Sequence, residues 1–73
     1  MKVRCDIKGL DCANCAAKLE RIMQKKFNGA NLNYAMGSLV IEVDDDQDEE
    51  EVVKSANKIA GDFEDGISVS LRD

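Results

Sequence analysis

The sequence predicts a small α+β fold in which the elements follow the order strand, helix, strand, strand, helix, strand. Two observations predict this fold. Four segments alternate apolar and polar residues with a period of two, which is the pattern of strands in a half-exposed sheet. Two longer segments place their apolar residues on one helical stripe, and each lies between two predicted strands. The chain has 73 residues, so we expect one domain that covers residues 1–73.

The first strand and the first helix are predicted from these two periods. Residues 2–8 alternate charged and apolar side chains, and Cys5 falls on the apolar face as a small core residue. Residues 13–27 carry apolar side chains at helical spacing and predict the first helix. We expect Asn28-Gly29 to end this helix with a left-handed C-cap. Glu20 is interpreted as a solvated side chain.

The second and third strands are predicted at residues 30–34 and 39–43, where apolar side chains again alternate with polar ones. The turn between them contains Gly37, which supplies the positive φ that a tight hairpin turn needs. The short spacing between the two segments indicates an antiparallel hairpin.

The second helix is predicted for residues 48–60, and an acidic run at residues 44–51 leads into it. We interpret this run as a solvated segment in which Asp48 caps the helix, because carboxylates are favoured at a helix N-terminus. A weakly bound cation is the less favoured interpretation. Gly61 is expected to end the helix, which would leave Phe63 in the following loop.

Residues 67–71 alternate apolar and polar side chains and predict the last strand. With right-handed crossovers, the full order of elements gives a ferredoxin-like βαββαβ sandwich. We therefore expect a four-stranded antiparallel sheet with both helices on one face. The other face of the sheet should be predominantly polar.

The composition excludes several classes of function. The chain contains no histidine, and so it lacks the commonest acid–base catalyst and any Cys–His or Ser–His pair. A formal net charge of -5 opposes binding to nucleic acid and to anionic lipid. No apolar run approaches the roughly 20 residues that cross a bilayer, and no secretion signal is visible. We expect a cytoplasmic, monomeric domain that does not itself enter a membrane.

The chemistry of the chain is concentrated between the first strand and the first helix, in the segment Gly9-Leu10-Asp11-Cys12-Ala13-Asn14-Cys15. Cys12 and Cys15 are three residues apart, so both sulfur atoms can converge on one point at the start of the helix. The helix dipole and unpaired N–H groups there lower a cysteine pKa from ~8.5 into the range ~3.5–7.5. The resulting thiolate binds a soft metal or attacks a disulfide. With three cysteines in all, this spacing favours metal binding or redox chemistry over a disulfide scaffold.

Asp11 bears on which metal would bind. Zinc prefers about four ligands and accepts a carboxylate oxygen, whereas two thiolates satisfy copper(I). Two thiolates together with Asp11 also supply three negative charges, which suit a divalent ion. We therefore predict a site for Zn²⁺, Cd²⁺ or Pb²⁺ that consists of Cys12, Cys15 and Asp11. The alternative role of Asp11 is to cap the first helix, because aspartate favours that position.

The loop in this order of elements resembles the heavy-metal-associated domain, a family found as soluble metallochaperones and as N-terminal cytosolic domains of metal-exporting P-type ATPases. Gly9, Leu10 and both cysteines match its motif, although the family usually has methionine at the position of Leu10. Leucine is a volume-conserving change there. Members attached to zinc-, cadmium- or lead-exporting ATPases often carry aspartate before the first cysteine, and copper(I) carriers often have threonine or serine. The resemblance implies that Phe63 shields the site, while plain core packing of Phe63 fits the sequence equally well.

The resemblance implies a non-catalytic domain that binds and transfers a soft divalent metal ion. Its partners would be the transmembrane part of a P-type ATPase or a metallochaperone, and both a free chaperone and a transporter domain are consistent with the sequence. The main alternative is a copper(I) (Cu⁺) chaperone or copper-ATPase domain, against which Asp11 argues. A dithiol oxidoreductase is the alternative from another class. The chain contains no proline, however, and thioredoxin-like sites place a cis-proline opposite their thiols.

Overall fold

The computed structural model describes residues 1–72 and has the predicted order of elements. The elements are β1 (Lys2–Lys8), α1 (Ala13–Lys26), β2 (Gly29–Asn33), β3 (Ser38–Glu42), α2 (Glu49–Phe63) and β4 (Ser68–Leu71). The four strands form one antiparallel sheet in the order β2-β3-β1-β4. The predicted α+β, ferredoxin-like βαββαβ architecture is therefore confirmed.

The core lies between the sheet and the two helices. Inward-facing strand residues such as Val3 and Ile41 pack there against Leu19 and Met23 of α1. Cys5 is fully buried among them, as its place on the apolar face of β1 predicted. Burial, followed by the nearby carboxylates of Asp6 and Glu49, raises the pKa of the Cys5 thiol to about 11. This thiol is therefore neutral and belongs to the core.

Side chains of both helices hydrogen-bond to the backbone of the two edge strands. Glu20 Oε2 accepts a hydrogen bond from the Leu32 N–H of β2 at 2.8 Å. On the opposite edge, Asn57 Oδ1 accepts from the Val69 N–H of β4 at 2.9 Å. The interpretation of Glu20 as merely solvated is wrong, because its carboxylate satisfies a backbone donor that faces away from the rest of the sheet.

The ends of both helices differ from the prediction. Phe27, the C-cap of α1, is extended (φ -126, ψ 107), so the expected left-handed cap is absent from this turn. Gly29 instead begins β2, where a Cβ would lie 2.6 Å from Glu42 Cβ on the neighbouring strand. Helix α2 continues through Gly61 to Phe63, which packs partly buried against the core. Tertiary packing of this last turn outweighs the low helix propensity of glycine.

Two local predictions about backbone conformation are confirmed. Gly37 has a φ of 61 in the turn between β2 and β3. Asp48 is the N-cap of α2, and its Oδ1 accepts a hydrogen bond from the Glu50 N–H at 3.1 Å. Within residues 1–72, neither helix combines the length and the apolar character of a membrane span.

Replacing Glu20 with alanine should destabilise the fold. The Leu32 N–H would lose the carboxylate that accepts its hydrogen bond, and leaving such a donor unpaired costs about 1–3 kcal/mol. Urea unfolding followed by circular dichroism measures the change. Arg21→Ala is the matched control, because Arg21 is the exposed next residue of the same helix and should stay within about 0.5 kcal/mol of wild type. Equal stability of the two variants would contradict this role of Glu20.

Candidate metal centre

Residues 9–15, here called the thiol loop, connect β1 to α1. Gly9 has a φ of 94, which favours glycine, and a Cβ on it would lie 2.2 Å from the carbonyl oxygen of Gly66. Leu10 packs partly buried against the core, as expected for this position. Gly9 and Leu10 therefore anchor the start of the loop, and the exposed Cys12 follows them.

Cys12 and Cys15 are brought together at the start of α1. Their sulfur atoms are 3.0 Å apart. Cys12 is the N-cap of the helix, and its Sγ also accepts a hydrogen bond from the Cys15 N–H at 3.3 Å. Cys12 is exposed and Cys15 is half-buried. The sequence therefore correctly predicted that the two thiols converge at a helix N-terminus.

The two thiols differ in acidity because of this geometry. Hydrogen bonds from the Cys15 thiol and then from the Cys15 N–H stabilise the Cys12 thiolate and lower the pKa of Cys12. The same shared hydrogen bond holds the proton on Cys15 and raises the pKa of that thiol, and burial adds to the shift. The pair therefore loses one proton readily and retains the other. Because the two thiols are coupled, the two pKa values belong to the pair and not to either cysteine alone.

Asp11 lies beside the thiol pair and is exposed. It does not cap the helix, because Cys12 takes the N-cap position. Its carboxylate charge weakly opposes ionisation of Cys12, after the larger effects of hydrogen bonding. Among residues 1–72, no three Cys, Asp or Glu side chains lie together in an arrangement that could hold a metal ion. Ligation by Asp11 therefore stays a prediction.

Two charged residues that the sequence analysis did not single out act on the same pair. After the shared hydrogen bond and burial, the Glu64 carboxylate adds to the raised pKa of Cys15, and the Lys18 ammonium opposes it. Lys18 lies three residues after Cys15 on α1, and helical spacing was a signal that could have found it. Glu64 lies at the end of α2, and only the tertiary fold brings it to the loop.

Phe63 lies elsewhere than the sequence predicted. It is the last residue of α2, not part of the loop that follows, and it packs partly buried against the core. This contact agrees with the core-packing interpretation. The shielding role that the resemblance implied for Phe63 stays a prediction.

Alkylation of the folded, reduced protein with iodoacetamide near neutral pH should modify Cys12 first. The lowered pKa of Cys12 gives it more of the reactive thiolate, whereas the raised pKa of Cys15 slows its reaction and the buried Cys5 stays protected. Peptide mass mapping over time measures the order. Cys15→Ala should slow the alkylation of Cys12, because it removes the thiol that donates to the Cys12 sulfur. Equal rates at Cys12 and Cys5 would contradict the described geometry.

Several solved structures are similar to this chain over nearly its whole length. A copper-binding domain from the P-type ATPase HMA7 has a TM-score of 0.70 and 17% identity, and the alignment covers 99% of this chain and 93% of that one. The N-terminal domain of a potential copper-translocating P-type ATPase from Bacillus subtilis, in its Cu(I)-loaded state, has a TM-score of 0.62 and 23% identity, with 96% and 84% covered. The yeast copper transporter domain CCC2A has a TM-score of 0.66 and 9% identity, with 99% and 94% covered.

No protein-family model matches the sequence, and no curated protein does. The similarity to the solved structures lies in the three-dimensional fold, since the sequence identities are low. It agrees with the resemblance found in the thiol loop and in the order of elements. The chain therefore has the fold of the heavy-metal-associated domain.

Proposed function

We propose that this chain binds one soft metal ion reversibly through Cys12 and Cys15 and transfers it to a partner by ligand exchange. The observation that carries the proposal is the pair of sulfur atoms 3.0 Å apart at the start of α1. Thiolates are the ligands that soft metal ions prefer. Because Cys12 is exposed, a metal ion held there would be open to an incoming ligand.

Copper(I) is the leading ion in this proposal. Two thiolates satisfy copper(I), and the described residues assemble no third Cys, Asp or Glu ligand around the pair. The similar domains from HMA7, Bacillus subtilis and yeast are all described as copper-binding or copper-transporting. These observations favour the copper(I) alternative over the divalent ions that the sequence was expected to select.

A divalent ion, Zn²⁺, Cd²⁺ or Pb²⁺, is the second candidate, and Asp11 is the residue that favours it. Its exposed carboxylate directly precedes Cys12. A rearrangement of the loop upon binding would be required to bring an oxygen of Asp11 to the ion. Zinc and cadmium would then gain a third protein ligand that copper(I) does not need.

The fold suits transfer better than structural metal binding. The core consists of residues from the sheet and both helices, so metal need not drive folding as it does in a zinc finger. A site with two or three protein ligands leaves a position at which a partner's ligand can add before Cys12 or Cys15 leaves. The chain itself would carry out no catalysis, and any ATP hydrolysis would belong to a parent P-type ATPase.

The partner in this proposal is the transmembrane part of such an ATPase or a metallochaperone on the cytoplasmic side. The net charge of -5 favours a basic docking surface on that partner. Association between oppositely charged exposed surfaces weakens as salt is added, because the charges are screened.

The double variant Cys12→Ser/Cys15→Ser should lose copper(I) and cadmium binding while it keeps its fold. The measurement is metal affinity by competition with a chelator, with circular dichroism to check folding. Cys5→Ala is the matched control, because it also removes a thiol but from the core, and it should bind metal as wild type does. Unchanged affinity in the double variant would overturn the proposed function.

Metal affinity should rise with pH near neutrality. Binding displaces the thiol protons, and the raised pKa of Cys15 means that its proton still competes with the metal there. Each proton displaced makes the apparent affinity increase about tenfold per pH unit. The dependence should flatten once the pH exceeds the raised pKa of Cys15. Competition titrations over a pH series measure the slope, and a pH-independent affinity would contradict thiolate ligation.

A further inference from the structure

We propose that the carboxylate of Glu64 and the ammonium of Lys18 tune the ion preference of the thiol pair in opposite directions. Glu64 favours divalent over monovalent ions, and Lys18 favours monovalent over divalent ions. This inference rests on the proposed function, since it concerns which ions that site prefers.

The fold holds Glu64 beside the thiol loop. Glu64 is the C-cap of α2, and its N–H donates to the carbonyl oxygen of Ala60 at 3.1 Å. The Ile67 N–H donates in turn to the Glu64 carbonyl oxygen at 3.4 Å, which closes the turn between α2 and β4. That turn packs on the thiol loop through Gly66. A Cβ on Gly9 would lie 2.2 Å from the carbonyl oxygen of Gly66, so the two backbones are in close contact. Glu64 is therefore fixed in place by backbone contacts that do not involve its side chain.

Both charges lie on exposed side chains near the thiol pair. Lys18 follows Cys15 by three residues on α1, so the two side chains are neighbours on the helix surface. Glu64 lies two residues before Gly66, in the turn that packs against the thiol loop. In the part of the chain that the structure describes, neither Glu64 nor Lys18 forms a salt bridge. Their charges therefore remain available to an ion held by the two sulfurs.

The charge of the bound ion determines how strongly it responds to these residues. Coulomb energy is proportional to the product of the two charges, so a fixed carboxylate stabilises a divalent ion twice as much as a monovalent ion at the same position. A fixed ammonium destabilises the divalent ion twice as much. Removing either charge should therefore change the ratio of the divalent-ion affinity to the monovalent-ion affinity.

The experiment compares Glu64→Gln and Lys18→Gln with wild type. Affinities for Cd²⁺ and for copper(I) are each measured against a competing chelator, at one pH and low salt. Both ions displace the same thiol protons, so changes in thiol pKa cancel in the ratio. The ratio of cadmium to copper(I) affinity should fall about two- to threefold in Glu64→Gln and rise by a similar factor in Lys18→Gln. High salt should shrink both changes.

Glu51→Gln is the matched control for the loss of one negative charge. Glu51 lies in the first turn of α2, about 20 Å along the helix from Glu64, so its charge should be screened from the thiols. The ratio should therefore stay at the wild-type value in this variant.

The outcomes separate this inference from the function on which it rests. A wild-type protein that binds neither ion would overturn the proposed function, and this inference with it. If wild type binds both ions and all variants keep the same ratio, the function stands and the inference is overturned. A shift of Glu64→Gln and Lys18→Gln in the same direction would also overturn it, because opposite charges cannot produce that result.

Discussion

The close approach of the Gly9 and Gly66 backbones is the constraint on which the arrangement of the site depends. A side chain at Gly9 would collide with the carbonyl oxygen of Gly66, and both glycines have positive φ. This contact joins the loop after β1 to the turn before β4. It thereby brings the end of α2, where Glu64 lies, to the same edge of the fold as the start of α1. Residues that are far apart in the chain act on one pair of sulfur atoms for this reason.

The thiol loop divides into a part that packs on the core and an exposed part that carries Cys12. Leu10 and the first turn of α1 hold the loop against the core. Cys12 lies on the solvent side, where its sulfur both caps the helix and contacts Cys15. The two sulfur atoms are thus held together by the fold itself, although they are not enclosed. Under the proposed function, this combination would let an ion arrive and leave without unfolding of the chain.

The sequence predicted those features of the molecule that follow from local periodicity and spacing. Alternation within each strand gave the sheet, and the three-residue spacing of Cys12 and Cys15 gave the convergent thiols. The errors fall where tertiary contacts decide. Gly61 was expected to end the second helix, yet packing of the last turn extends the helix past it to Phe63. The sequence pattern indicates a solvated Glu20, yet its carboxylate accepts a hydrogen bond from the Leu32 N–H of an edge strand. No local pattern could have indicated the approach of Glu64 to the thiols.

The burial of Cys5 has a practical consequence for handling the protein. In the folded state, an oxidant in solution meets two accessible thiols, and the third is sealed between the sheet and the helices. A mixed or intermolecular disulfide that contains Cys5 therefore requires that the core has first opened. Detection of such a species in a stored preparation would be a chemical record of past unfolding, even if the remaining material had refolded.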